Sequence, residues 1–190
     1  NMKGKNIVLG VAGGVAIHKS LDLVSQLVKR DANVHVVMTK NATKMIQPLQ
    51  FQVISRKPVL VDLFHLSENW KPYHIDLSDQ ADLLAVVPAT ANLISKLSQG
   101  KAEDLATTIM LASNKDIILV PAMNVRMWNH RATQENCKKL VTYGYKFFGP
   151  TEGMMACGEF GKGKMISPMK IFKEVKEYFF KRDLFKNRKL

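Results

Sequence analysis

Three side chains of this 190-residue chain could move a proton or hold an acid group: His74, Asn124 and Cys157. An imidazole with an unperturbed pKa of ~6.5 accepts a proton from a thiol near neutral pH. His74 opens His74-Ile75-Asp76, and it reads equally as a surface histidine after Trp70, Pro72 and Tyr73. The Asn124 amide carries two N–H donors, suited to holding a carboxylate; an asparagine after a strand also simply completes a turn. A thiol with pKa ~8.5 stays mostly protonated at neutral pH and can act as an acid. Cys157 lies in Ala156-Cys157-Gly158-Glu159, within a glycine-rich stretch, although a cytoplasmic cysteine is often inert. A fourth feature is the run Gly10-Val11-Ala12-Gly13-Gly14-Val15-Ala16. Such a turn lets backbone N–H groups approach an anion at a positive helix end. Its spacing misses the dinucleotide fingerprint, it has no Walker lysine, and a tight strand-to-helix turn would explain it as well.

The elements around these residues alternate between strand and helix signals, which predicts α/β architecture: a three-layer, Rossmann/flavodoxin-like parallel sheet with helices on both faces. Residues 6–10, 34–38, 81–87 and 117–120 are short apolar runs expected as buried strands, with 58–61 and 146–148 as weaker ones. Pro88 should end the third strong run, since it lacks a ladder donor. Helices are expected over 16–29, from about Thr43, and over 48–55, 90–98, 102–113, 129–143 and 168–180. Residues 149–167 hold five glycines without periodicity and are expected to form a long loop, a length that usually signals function. Pro121-Ala122-Met123-Asn124 then falls at the carboxyl end of a strand, where open α/β sheets bind ligands. Thr39 and Thr90-Ala91-Asn92-Leu93 fall at neighbouring strand ends, where Thr90 could also cap the next helix.

Composition narrows the function classes. The formal charge of +12 suggests a nucleic-acid partner, but residues 170–190 carry eight Lys or Arg against three acids, and the rest is thinly spread. No basic stripe interleaved with aromatics appears, so no nucleic-acid partner is expected. No apolar run approaches the roughly 18 residues of a membrane span, and no secretory pattern opens the chain. Cys137 and Cys157 form no metal or disulfide framework. A reducing cytoplasm and no metal are the expectation.

Taken together, His74-Ile75-Asp76, Pro121-Ala122-Met123-Asn124 with Trp128, and Ala156-Cys157-Gly158-Glu159 resemble the flavin-dependent cysteine decarboxylases. The likeness runs over about residues 5–170 with the motifs in family order. It implies FMN as cofactor, bound by Gly13, Gly14, Val15, Thr39, Thr90, Ala91, Asn92, Leu93 and Ala122. It implies His74, Asn124 and Cys157 as catalytic residues, and Asn124, Met123, Met154 and Ala156 as substrate contacts. The reaction implied is flavin oxidation of a terminal cysteine to a thioaldehyde, loss of carbon dioxide to an enethiolate, protonation by Cys157 and hydride return. Cys157 points to the branch that converts 4′-phosphopantothenoylcysteine to 4′-phosphopantetheine in coenzyme A biosynthesis. Peptidyl-cysteine decarboxylases lack that last reduction. A flavin prenyltransferase shares the fold without this motif pair, and a flavodoxin-like regulatory protein that binds a phosphatase tends to lose a catalytic residue. The family further implies a homo-oligomer built from trimers. Residues 1–180 are expected as the FMN-binding decarboxylase domain. Residues 181–190 are expected as a linker or the start of a following phosphopantothenate-cysteine ligase domain.

Overall fold

A computed structural model describes residues 2–61, 73–154 and 158–188, with the side chains of Tyr73 and His74 outside that description. Five parallel strands form the central sheet: β1 (Asn6–Val11), β2 (Asn33–Met38), β3 (Leu83–Ala89), β4 (Ile117–Pro121) and β5 (Lys146–Phe147), in the order β2-β1-β3-β4-β5. The chain moves outward from β1 to β2, then crosses back to β3 on the other side of β1. That reversal opens a crevice between β1 and β3 at their carboxyl ends.

Side-chain alternation divides the core into two faces. Ile7, Leu9, Val11, Leu83, Ala85, Val87, Ile118 and Val120 pack on one face. There they meet α1 (Ile17–Lys29), α3 (Pro48–Ser55) and α9 (Pro168–Arg188), through residues such as Leu23, Leu27, Phe51 and Phe179. Val8, Leu84, Val86, Ile117 and Leu119 pack on the other. They meet α4 (Tyr73–Gln80), α5 (Ala91–Ser98), α6 (Leu105–Ala112) and α8 (Arg131–Thr142). A strand buried on both faces needs no polar alternation, which is why these strands are continuous apolar runs. Ser20, on the α1 face, is fully buried and donates to the Val87 carbonyl at 2.7 Å, tying α1 to β3 just below the crevice.

Several segments differ from the sequence expectation, among them the short helix expected from about Thr43, which instead runs over 40–43 and ends there. Strand β3 passes through Pro88 to Ala89, with a register shift against β4 between Val86 and Ala89 that removes the need for a Pro88 donor. Residues 58–61 supply only a bridge, Leu60 to Val37, at the sheet edge. The helix expected over 129–143 is α8, and a short unexpected helix, α7 (Val125–Asn129), precedes it; the two meet at His130, whose ring accepts from the Ala132 N–H at 3.0 Å. The expected loop over 149–167 contains an antiparallel hairpin, β6 (Thr151–Met154) with β7 (Phe160–Lys164).

Helix α9 continues past Phe180 to Arg188. Arg182 donates to the Asp82 carbonyl at 2.8 Å, and Lys5 lies 3.8 Å from Asp183. Among the described residues no helix is long and apolar enough to cross a membrane.

Candidate functional site

Parallel βα units direct every helix N-terminus to the same edge of the sheet, and here that edge carries a cavity of about 890 Å³. Its walls come from the ends of all four long strands. The turn after β1 gives Gly13, Gly14 and Val15; the end of β2 gives Thr39; the end of β3 gives Thr90, Ala91, Asn92 and Leu93. The turn after β4 gives Ala122, Met123 and Asn124, and the hairpin gives Met154 and Lys164. Every cofactor position expected from sequence is therefore on one cavity wall. Of the expected substrate contacts, Met123, Asn124 and Met154 join them.

Gly13 and Gly14 differ in what they permit. A Cβ on Gly13 would lie 2.8 Å from the backbone carbonyl carbon of Asn41 and 3.0 Å from the Ala42 nitrogen. The β1 turn can thus pack against α2 (Lys40–Thr43) only without a side chain at 13. A Cβ on Gly14 would make an ordinary 3.5 Å contact with the Thr90 methyl, so residue 14 keeps the crevice open. No side chain caps the first turn of α1; its Ile17 and Lys19 N–H groups donate to the Gly14 and Ala16 carbonyls, and its dipole favours an anion.

Thr39 and Thr90 each accept a backbone N–H at 3.2 Å, from Ala42 and Leu93. An N-cap hydroxyl used as acceptor retains its proton for a second partner. The capping explanation of Thr90 is thus correct and leaves the hydroxyl free to donate. Asn124 has the same double character: Oδ1 accepts from the Met127 N–H at 2.8 Å to cap α7, and both Nδ2 protons remain for a ligand.

Two catalytic candidates lie at the edge of what is described. His74 is in the first turn of α4, with its side chain outside the described atoms. Cys157 and Ala156 lie outside the described residues; they belong to the connection between β6 and β7. Met123 N–H donates to the Gly163 carbonyl at 3.0 Å, and Arg126 pairs with Glu159 at 3.1 Å. Residues 159 and 163 are therefore fastened to the segment that carries Asn124.

Sequence reasoning missed several lining residues: His18 and Lys19 on α1, Lys40 and Asn41 on α2, Lys96 on α5, Glu103 and Asp104 before α6, and Met127 on α7. Lys96 is paired with Glu103 at 3.3 Å. Asp104 is held by a capping box with Thr107. The available signal was position, since each lies in the first turn or two of a helix following a strand end, or just before one. Among the described residues no three His, Cys, Asp or Glu side chains gather as metal ligands.

Strand order 2-1-3-4-5 with a cavity at the β1/β3 reversal defines a flavodoxin-like α/β protein. The comparisons agree. Residues 1–180 match the Flavoprotein family, and the chain belongs to it. It is 43% identical over 178 residues to the coenzyme A biosynthesis bifunctional protein CoaBC of Bacillus subtilis, covering 94% of this chain and 44% of that protein. It is 42% identical over 171 residues to the Escherichia coli CoaBC protein, covering 90% and 42%. The chain thus spans less than half the length of these curated relatives. Among solved structures, a PPC decarboxylase mutant complexed with pantothenoylaminoethenethiol superposes with a TM-score of 0.82 at 26% identity, covering 93% of this chain and 99% of that one. The FMN binding protein AtHal3 gives 0.82 at 26% identity, over 94% and 98%.

Proposed function

We propose that this chain is an FMN-dependent decarboxylase that converts 4′-phosphopantothenoylcysteine to 4′-phosphopantetheine in coenzyme A biosynthesis. The observation that carries the reading is the single cavity joining the glycine turn, two threonine caps and the Pro-Ala-Met-Asn turn. The similarity to bifunctional CoaBC proteins and to a PPC decarboxylase supports the same substrate.

The residues present fit FMN. The cavity is within the roughly 300–1,000 Å³ of cofactor-sized sites. The uncapped start of α1, the spare hydroxyl protons of Thr39 and Thr90, and Lys19 and Lys40 make a donor set for a phosphate. Ala91, Leu93, Ala122 and Met123 supply small and apolar surface for a ring system. When bound, FMN would supply a two-electron acceptor that later returns the electrons to the substrate.

The protein's own tasks are orientation and proton transfer. His74 takes the substrate thiol proton, Asn124 Nδ2 holds the carboxylate until it departs, and Cys157 protonates the carbon left behind. Met154 and Ala156 contact the substrate from the hairpin. The chain works in the cytoplasm as residues 1–180 of a decarboxylase unit, with the segment from 181 leading to a ligase domain. It assembles as a homo-oligomer built from trimers. Val15 at the cavity rim and Leu49 and Val53 on α3 are exposed apolar side chains available to a second copy.

The test is incubation of purified protein with phosphopantothenoylcysteine and mass spectrometry for 4′-phosphopantetheine. Flavin-depleted protein should be colourless and inactive, and full turnover without flavin would refute the reading. Cys157→Ser should stay yellow and accumulate an unreduced product. Gel filtration at high dilution tests assembly, and a monomer that keeps its flavin would overturn an interface role.

A further inference from the structure

Four lysines line the cavity, and they fall into separate groups. Lys19 follows β1 and Lys40 follows β2, beside the glycine turn. Lys96 is neutralised by Glu103 at 3.3 Å. Lys164 ends β7, on the hairpin that hydrogen-bonds to Met123 after β4. With strands about 4.8 Å apart, the β2 and β4 ends are separated by three spacings, roughly 14 Å. The cavity therefore has two cationic ends, and the glycine turn and α1 N-terminus belong to only one.

At the other end the fold makes room for Lys164. A Cβ on Gly153 would lie 2.8 Å from Lys164 Cδ and 3.5 Å from its Nζ. The lysine therefore crosses the hairpin over a residue with no side chain, toward the β6 end where Met154 lines the cavity. Lys164 is half-buried, and among the described residues no carboxylate lies within ion-pair distance. A half-buried ammonium on the wall of a cavity is a site for an anion. Lys162, two residues earlier, is exposed and is not part of the cavity wall.

We infer that Lys164 is a specificity-determining residue that pairs with an anionic group of the substrate. The inference rests on the decarboxylase reading. The substrate carries two such groups, a carboxylate at the reacting end and a phosphate at the far end. A cation on the departing carboxylate would favour the ground state over the transition state, because the charge moves away as carbon dioxide leaves.

The experiment compares phosphopantothenoylcysteine with its dephosphorylated form in wild type, Lys164→Ala, Lys164→Arg and Gly153→Ala. Lys164→Ala should raise KM about 10–100-fold, the size of a lost charge-assisted hydrogen bond, with an unchanged flavin spectrum. Lys164→Arg should recover most of the loss. Gly153→Ala should raise KM in the wild-type background and do nothing further in Lys164→Ala, because the Cβ then meets no side chain. A rise confined to the phosphorylated substrate assigns the phosphate, and an equal rise on both assigns the carboxylate. Unchanged KM on both would overturn the inference. Acetylation of lysines followed by peptide mass spectrometry gives a readout independent of turnover. Phosphopantothenoylcysteine should protect Lys164 and leave Lys162 reactive. Protection without decarboxylation by wild type would sink the function and keep the anion site. Turnover without protection would sink the anion site alone.

Discussion

The Met123 N–H donates to the Gly163 carbonyl across 3.0 Å, so the turn after β4 and the second strand of the hairpin are fastened to each other. Two further contacts extend the seam. Val125 fills the space over Gly161, where a Cβ would lie 2.8 Å from one of its methyls, and Arg126 reaches Glu159. The three contacts are unequal. The Arg126 side chain is 87% exposed, and ion pairs in water contribute about 0–1 kcal/mol. The Val125 contact is steric and has no slack.

Gly161→Ala should therefore destabilise by about 1–3 kcal/mol through overpacking, while Arg126→Ala should stay within about 1 kcal/mol. Urea denaturation of the two variants checks the ranking. Gly161→Ala should also raise the substrate KM more than it weakens flavin binding, because it displaces the hairpin and leaves the β1 and β2 turns untouched.

The glycine turn makes a sharper contrast. Gly13→Ala drives a methyl against the Asn41 and Ala42 backbone, which cannot give way as a side-chain tip can. It should lower Tm by several degrees, at about 2–4 °C per kcal/mol for a chain of this size, and abolish the yellow colour. Gly14→Ala meets only the Thr90 methyl at 3.5 Å and should fold normally. Calorimetry with visible absorbance separates the two.

His35, in β2, should make stability depend on pH. Burial, with a smaller contribution from nearby Lys57, lowers its pKa below the ordinary 6.5. The unfolded chain therefore binds this proton more readily than the folded one. The stability is fully present above pH 6.5, is lost as pH falls toward the lowered folded value, and falls no further below it. His35→Gln should flatten that part of the curve. Urea midpoints at pH 7.5 and 5.5 test this, and equal pH dependence in both proteins would remove His35 as the cause.

The sheet was legible where strands are buried on both faces. Leu83–Val87 and Ile117–Val120 are unbroken apolar runs too short for helices, and the ligand edge followed from their ends. Pro88 misled because a proline costs a strand only where its donor is required, and the shifted register against β4 does not require it. The hairpin was illegible because Thr151-Glu152-Gly153-Met154 and Phe160-Gly161-Lys162-Gly163-Lys164 are held by backbone pairing and glycine clearance, not by an apolar face. Lys164 was visible as a lysine near Cys157, but its placement was not, because that depends on Gly153, eleven residues away. The threonine and asparagine positions were legible twice over, as caps and as donors, since one strand-end geometry serves both.

Asn124 allows those two roles to be separated by substitution. Its Oδ1 caps α7 through the Met127 N–H at 2.8 Å, and its Nδ2 is the proposed carboxylate donor. Asn124→Ala loses both functions. It should cost about 1 kcal/mol of stability, the usual loss for a removed cap, and eliminate turnover. Asn124→Asp keeps a capping oxygen, and a negative charge at a helix N-terminus is favourable, so stability should be unchanged or slightly improved. Its carboxylate, however, replaces two donors with acceptors and repels the substrate's own acid group. Turnover should fall by at least about 100-fold, matching roughly 3 kcal/mol of lost binding and added repulsion. Thermal melts set beside decarboxylation rates decide the matter. An Asn124→Asp protein that is stable and inactive fits both roles, whereas one that is stable and fully active would leave Asn124 a helix cap and nothing more.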